Sequence, residues 1–166
     1  MMYLSGLGRR GRIEKKRMPV KLVIDAGVAL KWQFKDESET EAAIRMLEDF
    51  VGGRVLLISP SLFAYEIVSA INIAVLKGRI SEKDAIDIIK DSLNIGIELV
   101  DFAGLEEKTF KMARRHNRSV YDCAYLSLAE RERCNIFTAD KHLYNALNNK
   151  VPFIRWIGNY SSSHNY

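Results

Sequence analysis

Residues 20–28 read Val-Lys-Leu-Val-Ile-Asp-Ala-Gly-Val. The first five form a short apolar run rich in β-branched side chains, the composition of a strand buried on both faces in a parallel sheet. A carboxylate follows at once. Burying an unpaired charge costs several kcal/mol, so Asp25 needs a reason beyond packing. Three more acids sit in equally apolar surroundings: Glu66 in Phe-Ala-Tyr-Glu-Ile (63–67), Asp122 in Val-Tyr-Asp-Cys-Ala-Tyr (120–125) and Asp140 in Phe-Thr-Ala-Asp-Lys-His-Leu (137–143). A divalent cation held in common accounts for all four.

Outward from this first strand, strand-like and helix-like segments alternate. The pattern predicts a short helix over Ala29–Phe34 and a second helix over 39–51, capped by Ser38 and ended by Gly52-Gly53. A second strand is expected at Val55–Ile58. Ser59-Pro60-Ser61 then opens a long helix that runs to about Leu76 and stops at Gly78. Ser81, with Asp84 three residues on, begins a helix over Glu82–Leu93 in the manner of a capping box. A third strand (Ile97–Val100), helices over Leu105–His116 and Val120–Arg133, a fourth strand (Asn135–Thr138), a short helix (Lys141–Leu147) and a fifth strand (Pro152–Trp156) complete the expectation. This order predicts an α/β protein: a three-layer α/β/α sandwich around a central parallel sheet of about five strands, with right-handed crossovers.

The 166 residues fit one domain, and the 48% hydrophobic fraction excludes a disordered chain. No apolar run approaches the ~20 residues that span a bilayer, and the opening Met-Met-Tyr-Leu-Ser-Gly-Leu-Gly has no apolar signal core. A cytoplasmic protein without a membrane partner is expected. The net charge of +4 is unevenly spread: the first 18 residues carry +5, so the other 148 sum to −1. Residues 1–17 are expected to be a disordered basic extension, residues 18–158 the folded domain and residues 159–166 a polar tail. The basic extension reads as either a nucleic-acid-binding arm or a start-site artefact ahead of Met18. Its Gly6-Leu7-Gly8-Arg9-Arg10-Gly11 matches G-x-G-x-x-G but lacks the strand and helix of a dinucleotide site. Cys123 and Cys134 lie outside any zinc-ligand spacing and are expected to be core thiols.

In an open parallel sheet, ligands gather at the carboxyl ends of the strands where strand order reverses. Asp25 ends the first predicted strand and Asp140 lies two residues past the fourth, so both reach one edge. Each is also a natural helix cap. Glu66 and Asp122 lie on helices, where the plainer readings are an ion pair for Glu66 and a first-turn dipole partner for Asp122. A hard cation such as Mg²⁺ or Mn²⁺ takes oxygen ligands and keeps several waters. Zinc is disfavoured without Cys or His at ligand spacing. Thr138, two residues before Asp140, is placed to orient a ligand or a phosphate.

The stretches 23–32 (Val-Ile-Asp-Ala-Gly-Val-Ala-Leu-Lys-Trp), 65–72 (Tyr-Glu-Ile-Val-Ser-Ala-Ile-Asn), 77–80 (Lys-Gly-Arg-Ile), 119–129 (Ser-Val-Tyr-Asp-Cys-Ala-Tyr-Leu-Ser-Leu-Ala) and 138–143 (Thr-Ala-Asp-Lys-His-Leu) together resemble PIN-domain proteins of the VapBC toxin type. The resemblance runs from about Lys21 to Trp156. It implies a metal-dependent endoribonuclease in which Asp25, Glu66, Asp122 and Asp140 hold Mg²⁺ or Mn²⁺, with Thr138 beside the last acid. It also implies an RNA substrate, a VapB-type antitoxin partner and a homodimer. A housekeeping RNA-processing nuclease and a non-catalytic RNA- or protein-binding module are the alternatives. One departure is Gly27, where the family commonly has Ser, Thr or Asn. Lys31, Arg79, Arg118 and Lys141 are candidates for phosphate contacts. The apolar residues of the two helices over 39–51 and 61–76, among them Ile44, Met46, Leu47, Phe50, Leu62, Phe63, Ile67 and Ile71, offer a dimer or antitoxin surface as well as core.

Overall fold

The first strand, β1 (Val20–Ile24), lies at the centre of a five-stranded sheet. In the computed structural model, which describes residues 18–34 and 38–162, Leu22, Val23 and Ile24 are fully buried. β1 pairs with β2 (Val55–Pro60) on one side and β4 (Asn135–Thr138) on the other. Beyond them lie β3 (Glu98–Val100) and β5 (Ile154–Trp156), and every pairing is parallel. The order β3-β2-β1-β4-β5 means the chain steps outward in one direction and then restarts beside β1. The β1/β4 seam is therefore the topological switch point.

Among the described residues seven α-helices cover the sheet: α1 (Ala26–Gln33), α2 (Thr40–Val51), α3 (Leu62–Leu76), α4 (Glu82–Asn94), α5 (Glu106–His116), α6 (Val120–Glu132) and α7 (Lys141–Leu147). The two-residue alternation of each strand divides the core. Leu22, Ile24, Leu57 and Phe137 face one apolar cluster with α1 to α4. Val23, Ile58 and Ile136 face the other with α5, α6 and α7. The three-layer sandwich expected from the sequence is the observed architecture.

Local corrections follow from hydrogen bonds that periodicity does not display. α1 starts directly after β1, because Asp25 itself caps it. Ser38 is not a cap; the cap position is Glu39, in a left-handed conformation (φ 59°), without a side-chain cap bond. β2 continues through Ser59 and Pro60, and α3 begins only at Leu62. Ser59 is fully buried and donates its hydroxyl to the Ile24 carbonyl at 2.5 Å, pinning the end of β1 to β2. Ser81 does cap α4, accepting from the Asp84 amide at 3.1 Å. The basic extension (1–17) and the last four residues of the expected polar tail lie outside the described residues.

Tyr160, assigned to that tail by sequence, is buried instead. Its ring meets Phe137 edge-on at 5.3 Å between centroids. Its hydroxyl donates to buried Asp49 on α2 at 2.6 Å, opposite the Arg54 guanidinium at 2.5 Å. Burial pushes the Asp49 carboxyl up, but hydrogen bonds from Tyr160, Arg54 and Ser162 outweigh it and hold the group below its ordinary value. Hydrogen bonds to a charged group are worth about 1.5–3 kcal/mol each. Tyr160→Phe should therefore lower stability by about that amount, a drop of roughly 3–12 °C in Tm at about 2–4 °C per kcal/mol. Thermal unfolding of the two proteins checks it; an unchanged Tm would make this contact incidental.

Candidate active site

The carboxyl ends of β1 and β4 lie side by side, with Ile24 in register with Phe137. Asp25 follows Ile24. Its Oδ1 accepts the Val28 amide at 2.9 Å and so caps α1. Its Oδ2 accepts the Thr138 hydroxyl and the Ala139 amide, the latter at 3.2 Å. The Thr138 oxygen in turn accepts the Asp140 amide at 2.9 Å. Asp140 Oδ1 accepts the His142 and Leu143 amides at 2.8 and 3.0 Å, capping α7. Both acids are thus the helix caps that the plainer reading offers, and both also line the cleft described below. The roles coexist because a carboxylate has about four acceptor sites.

The other two acids come from helices on opposite sides of the sheet. Glu66 projects from α3 and accepts a hydrogen bond from the Tyr125 hydroxyl on α6. Asp122 stands in the first turn of α6, where the helix dipole favours negative charge. Its amide is held by the Ser119 hydroxyl at 3.0 Å. The plainer reading for Glu66, an ion pair, does not survive the geometry: its partner is a tyrosine. Sequence reasoning missed Tyr125, although a signal exists, since it lies three residues after Asp122 and so shares a helix face with it.

Asp25, Glu66, Asp122 and Asp140 all line one cleft of about 380 Å³. Burial pushes Asp25 up to about 6, against the hydrogen bonds from Thr138, Val28 and Ala139 and with the charge of Asp140 adding to the rise. Burial also raises Glu66; the Tyr125 bond opposes this, while the charges of Asp25 and Asp122 reinforce it. The Tyr125 hydroxyl is itself driven well above its ordinary value, by burial and by Glu66, so it remains a donor. Two buried carboxylates with raised proton affinity, Asp25 and Glu66, are the kind of oxygen donor whose charge a hard divalent cation would offset. Among the described residues no group of three or more His, Cys, Asp or Glu is set to hold an ion directly.

The surrounding candidates sort clearly. Lys31 is buried, donating to the Ser38 carbonyl at 2.6 Å with Glu39 at 3.6 Å, so it braces the start of α2 while also lining a pocket that adjoins the cleft. Arg79 lies over the Phe34 ring at 4.1 Å, beside Lys77 in a pocket that adjoins the cleft. Lys141 is exposed and Arg118 half-buried, and neither lines the cleft. Gly27 lines it, and a Cβ there would stand 3.1 Å from the Ala139 Cβ and 3.2 Å from Asp25 Oδ1. The missing side chain is thus matched by close packing, and Asp25 draws its hydrogen bonds from Val28, Thr138 and Ala139 instead. Of the apolar residues considered for a partner surface, Met46, Phe63, Ile67 and Ile71 are core. Cys123 and Cys134 are free thiols, each pushed up to about 11 chiefly by burial.

The family model described as PIN domain matches residues 22–147, a span that contains all four acids. Among curated relatives, the chain is similar to ribonuclease VapC3 of Pyrobaculum aerophilum, 26% identical over 126 residues, which covers 75% of this chain and 92% of that protein. The crystal structure of PAE2754 from Pyrobaculum aerophilum aligns with a TM-score of 0.62 and 18% identity over 84% of this chain and 92% of that one. That of VapC20 from Mycobacterium tuberculosis, a toxin that cleaves the sarcin-ricin loop, aligns with a TM-score of 0.55 and 13% identity over 76% and 95%. At such identities these two structures speak for the fold alone.

The raised Asp25 value carries a sign that can be measured. Because the folded value of about 6 exceeds the ordinary 3.8, ionising Asp25 opposes folding. The penalty is absent below about pH 4, grows as pH rises through about 6, and reaches at most about 3 kcal/mol at 1.36 kcal/mol per unit. In chelator, wild-type stability relative to Asp25→Asn should therefore fall across that window. Adding Mn²⁺ above pH 6 should reverse the trend, since bound cation stabilises the folded state. Denaturant unfolding at stepped pH, with and without Mn²⁺, measures both; a flat difference would mean Asp25 is not an unrelieved buried charge.

Proposed function

The chain belongs to the PIN-domain family, and we propose that it is a Mg²⁺- or Mn²⁺-dependent endoribonuclease acting as the toxin of a toxin–antitoxin pair. The observation that carries this reading is the convergence of Asp25, Glu66, Asp122 and Asp140 on one cleft at the switch point of the sheet. Similarity to ribonuclease VapC3 supports the substrate class. An RNA substrate, a VapB-type antitoxin, a homodimeric assembly and a cytoplasmic location follow from the same reading. No helix among the described residues is long and apolar enough to cross a membrane.

The four carboxylates would hold the cation, one or two of them directly and the others through water. When bound, the cation supplies positive charge against the phosphate oxygens and acidifies the attacking water. Glu66, with Oε2 tied to Tyr125, is held in the cleft lining by that bond. Thr138 fixes the rotamer of Asp25 and holds the backbone of Asp140, so it positions two of the four acids at once.

Incubating the protein with single-stranded RNA and Mg²⁺ or Mn²⁺ tests the assignment. Cleavage should stop in EDTA, and Asp25→Asn and Asp122→Asn should each lose more than the roughly 10–100-fold that removing a group behind a metal ligand costs. Activity that survives chelation, or normal cutting by both variants, overturns it. For the toxin role, expression in a bacterial host should arrest growth, and coexpression of the small protein encoded immediately upstream should relieve it.

Thr138→Val keeps the β-branched shape of β4 but removes the hydroxyl. It should weaken Mn²⁺ binding by about 10–100-fold, read by calorimetry, while the protein stays folded. Unchanged affinity would leave Thr138 a purely structural residue.

A further inference from the structure

The cleft does not end at the carboxylates. Past Glu66 and Asp122 it opens into a second groove of about 730 Å³ between the N-terminal ends of α3 and α6. Glu66, Ser69 and Asp122 line both spaces, so the two are continuous. Two tyrosines wall the second groove: Tyr65, 81% exposed, and Tyr121, 68% exposed. Each immediately precedes one of the candidate acids, Tyr65 before Glu66 and Tyr121 before Asp122. On the opposite side the cleft passes Gly27, Ala70 and Ala139 to reach Lys77 and Arg79.

Charge decides what each arm can take. A phosphate in the tyrosine groove would face Glu66 and Asp122 with no Lys or Arg of the described residues in its lining; on the other side it would meet a pocket lined by Lys31, Lys77 and Arg79. A nucleobase carries no charge and presents a flat face, and stacking on aromatic side chains is how proteins hold single-stranded bases with tolerance of sequence. A base paired inside a duplex cannot present that face to a side chain.

We propose that Tyr65 and Tyr121 form a stacking platform for the nucleobase flanking the scissile phosphate. The proposal rests on the ribonuclease reading above and adds a base-holding surface to it. The platform holds the nucleotide on the acidic side of the cleft, where the backbone phosphates gain no support, and the base supplies the grip in their place. Both side chains are largely exposed, and among the described residues neither ring is a member of an aromatic pair such as Phe137–Tyr160 or Tyr144–Trp156.

The test uses short unstructured oligoribonucleotides carrying 2-aminopurine at successive positions, bound in Ca²⁺ and cut in Mn²⁺. Wild type should quench 2-aminopurine at one position beside the cut. Tyr65→Ala and Tyr121→Ala should lose the quenching and raise KM about tenfold with kcat within about twofold, and Tyr65→Phe and Tyr121→Phe should restore both. An oligonucleotide abasic at that position should be cut alike by wild type and the alanine variants. Unchanged KM and quenching in the alanine variants overturn the platform while leaving the nuclease intact. Failure of wild type to cut any RNA overturns the nuclease reading instead, whatever the quenching. If the alanine variants change sedimentation from dimer to monomer and the phenylalanine variants do not restore KM, the face is a contact between copies of this chain and the platform is wrong.

Discussion

Everything at the switch point depends on one buried charge and the donors that keep it there. Asp25 ends the central strand, starts the first helix through the Val28 amide, and reaches across the β1/β4 seam to Thr138 and Ala139. A neutral side chain could cap α1, but it would not accept three separate donors from two elements at once. Charge-assisted bonds of this kind are the strong ones, and here they clamp the sheet where its strand order reverses. The same burial raises the proton affinity of the group. Structural role and ligand-like character therefore share a cause.

The four acids form a graded set. Asp25 is the most enclosed and the most perturbed, Glu66 is half-buried against Tyr125, Asp140 caps α7, and Asp122 sits in the first turn of α6. Backbone amides stabilise negative charge at Asp25 and Asp140 and the helix dipole favours it at Asp122, while desolvation penalises it at Asp25 and Glu66. A cation bound among them would draw most of its benefit from the pair that burial disfavours. The cleft's two arms extend this asymmetry outward, one toward Lys77 and Arg79 and the other toward groups whose only formal charges are negative.

Much of this was legible from the chain. The apolar run at 20–24, the alternation of β and α patterns and the acids placed against the grain of their surroundings were enough to predict the layers and the carboxylates that line the cleft. What stayed hidden depends on contacts between distant segments. Lys31 reads as a surface cation, yet its stem and amine are buried against the start of α2. Ser38 has the side chain of a helix cap, but its carbonyl is committed to Lys31 and the chain turns left-handed at Glu39. Tyr160 sits among polar residues and still fills the core, because Phe137 and Asp49 wait for it there. Tyr65 and Tyr121 look like ordinary helix residues until two helix ends are set side by side.

The clamp at Asp25 also imposes an order in time. Its bond to Thr138 joins residues 113 positions apart, and the Asp49–Tyr160 bond spans 111. On a ribosome, β1 and its aspartate emerge early and then wait while more than a hundred residues are added. Contacts of such long sequence separation form late and slowly. The acids of the first half can fold into helices and still lack the seam that gathers them. A half-made chain therefore lacks the seam that gathers the acids, and the cleft is complete only after Thr138, Asp140 and Leu143 have left the exit tunnel.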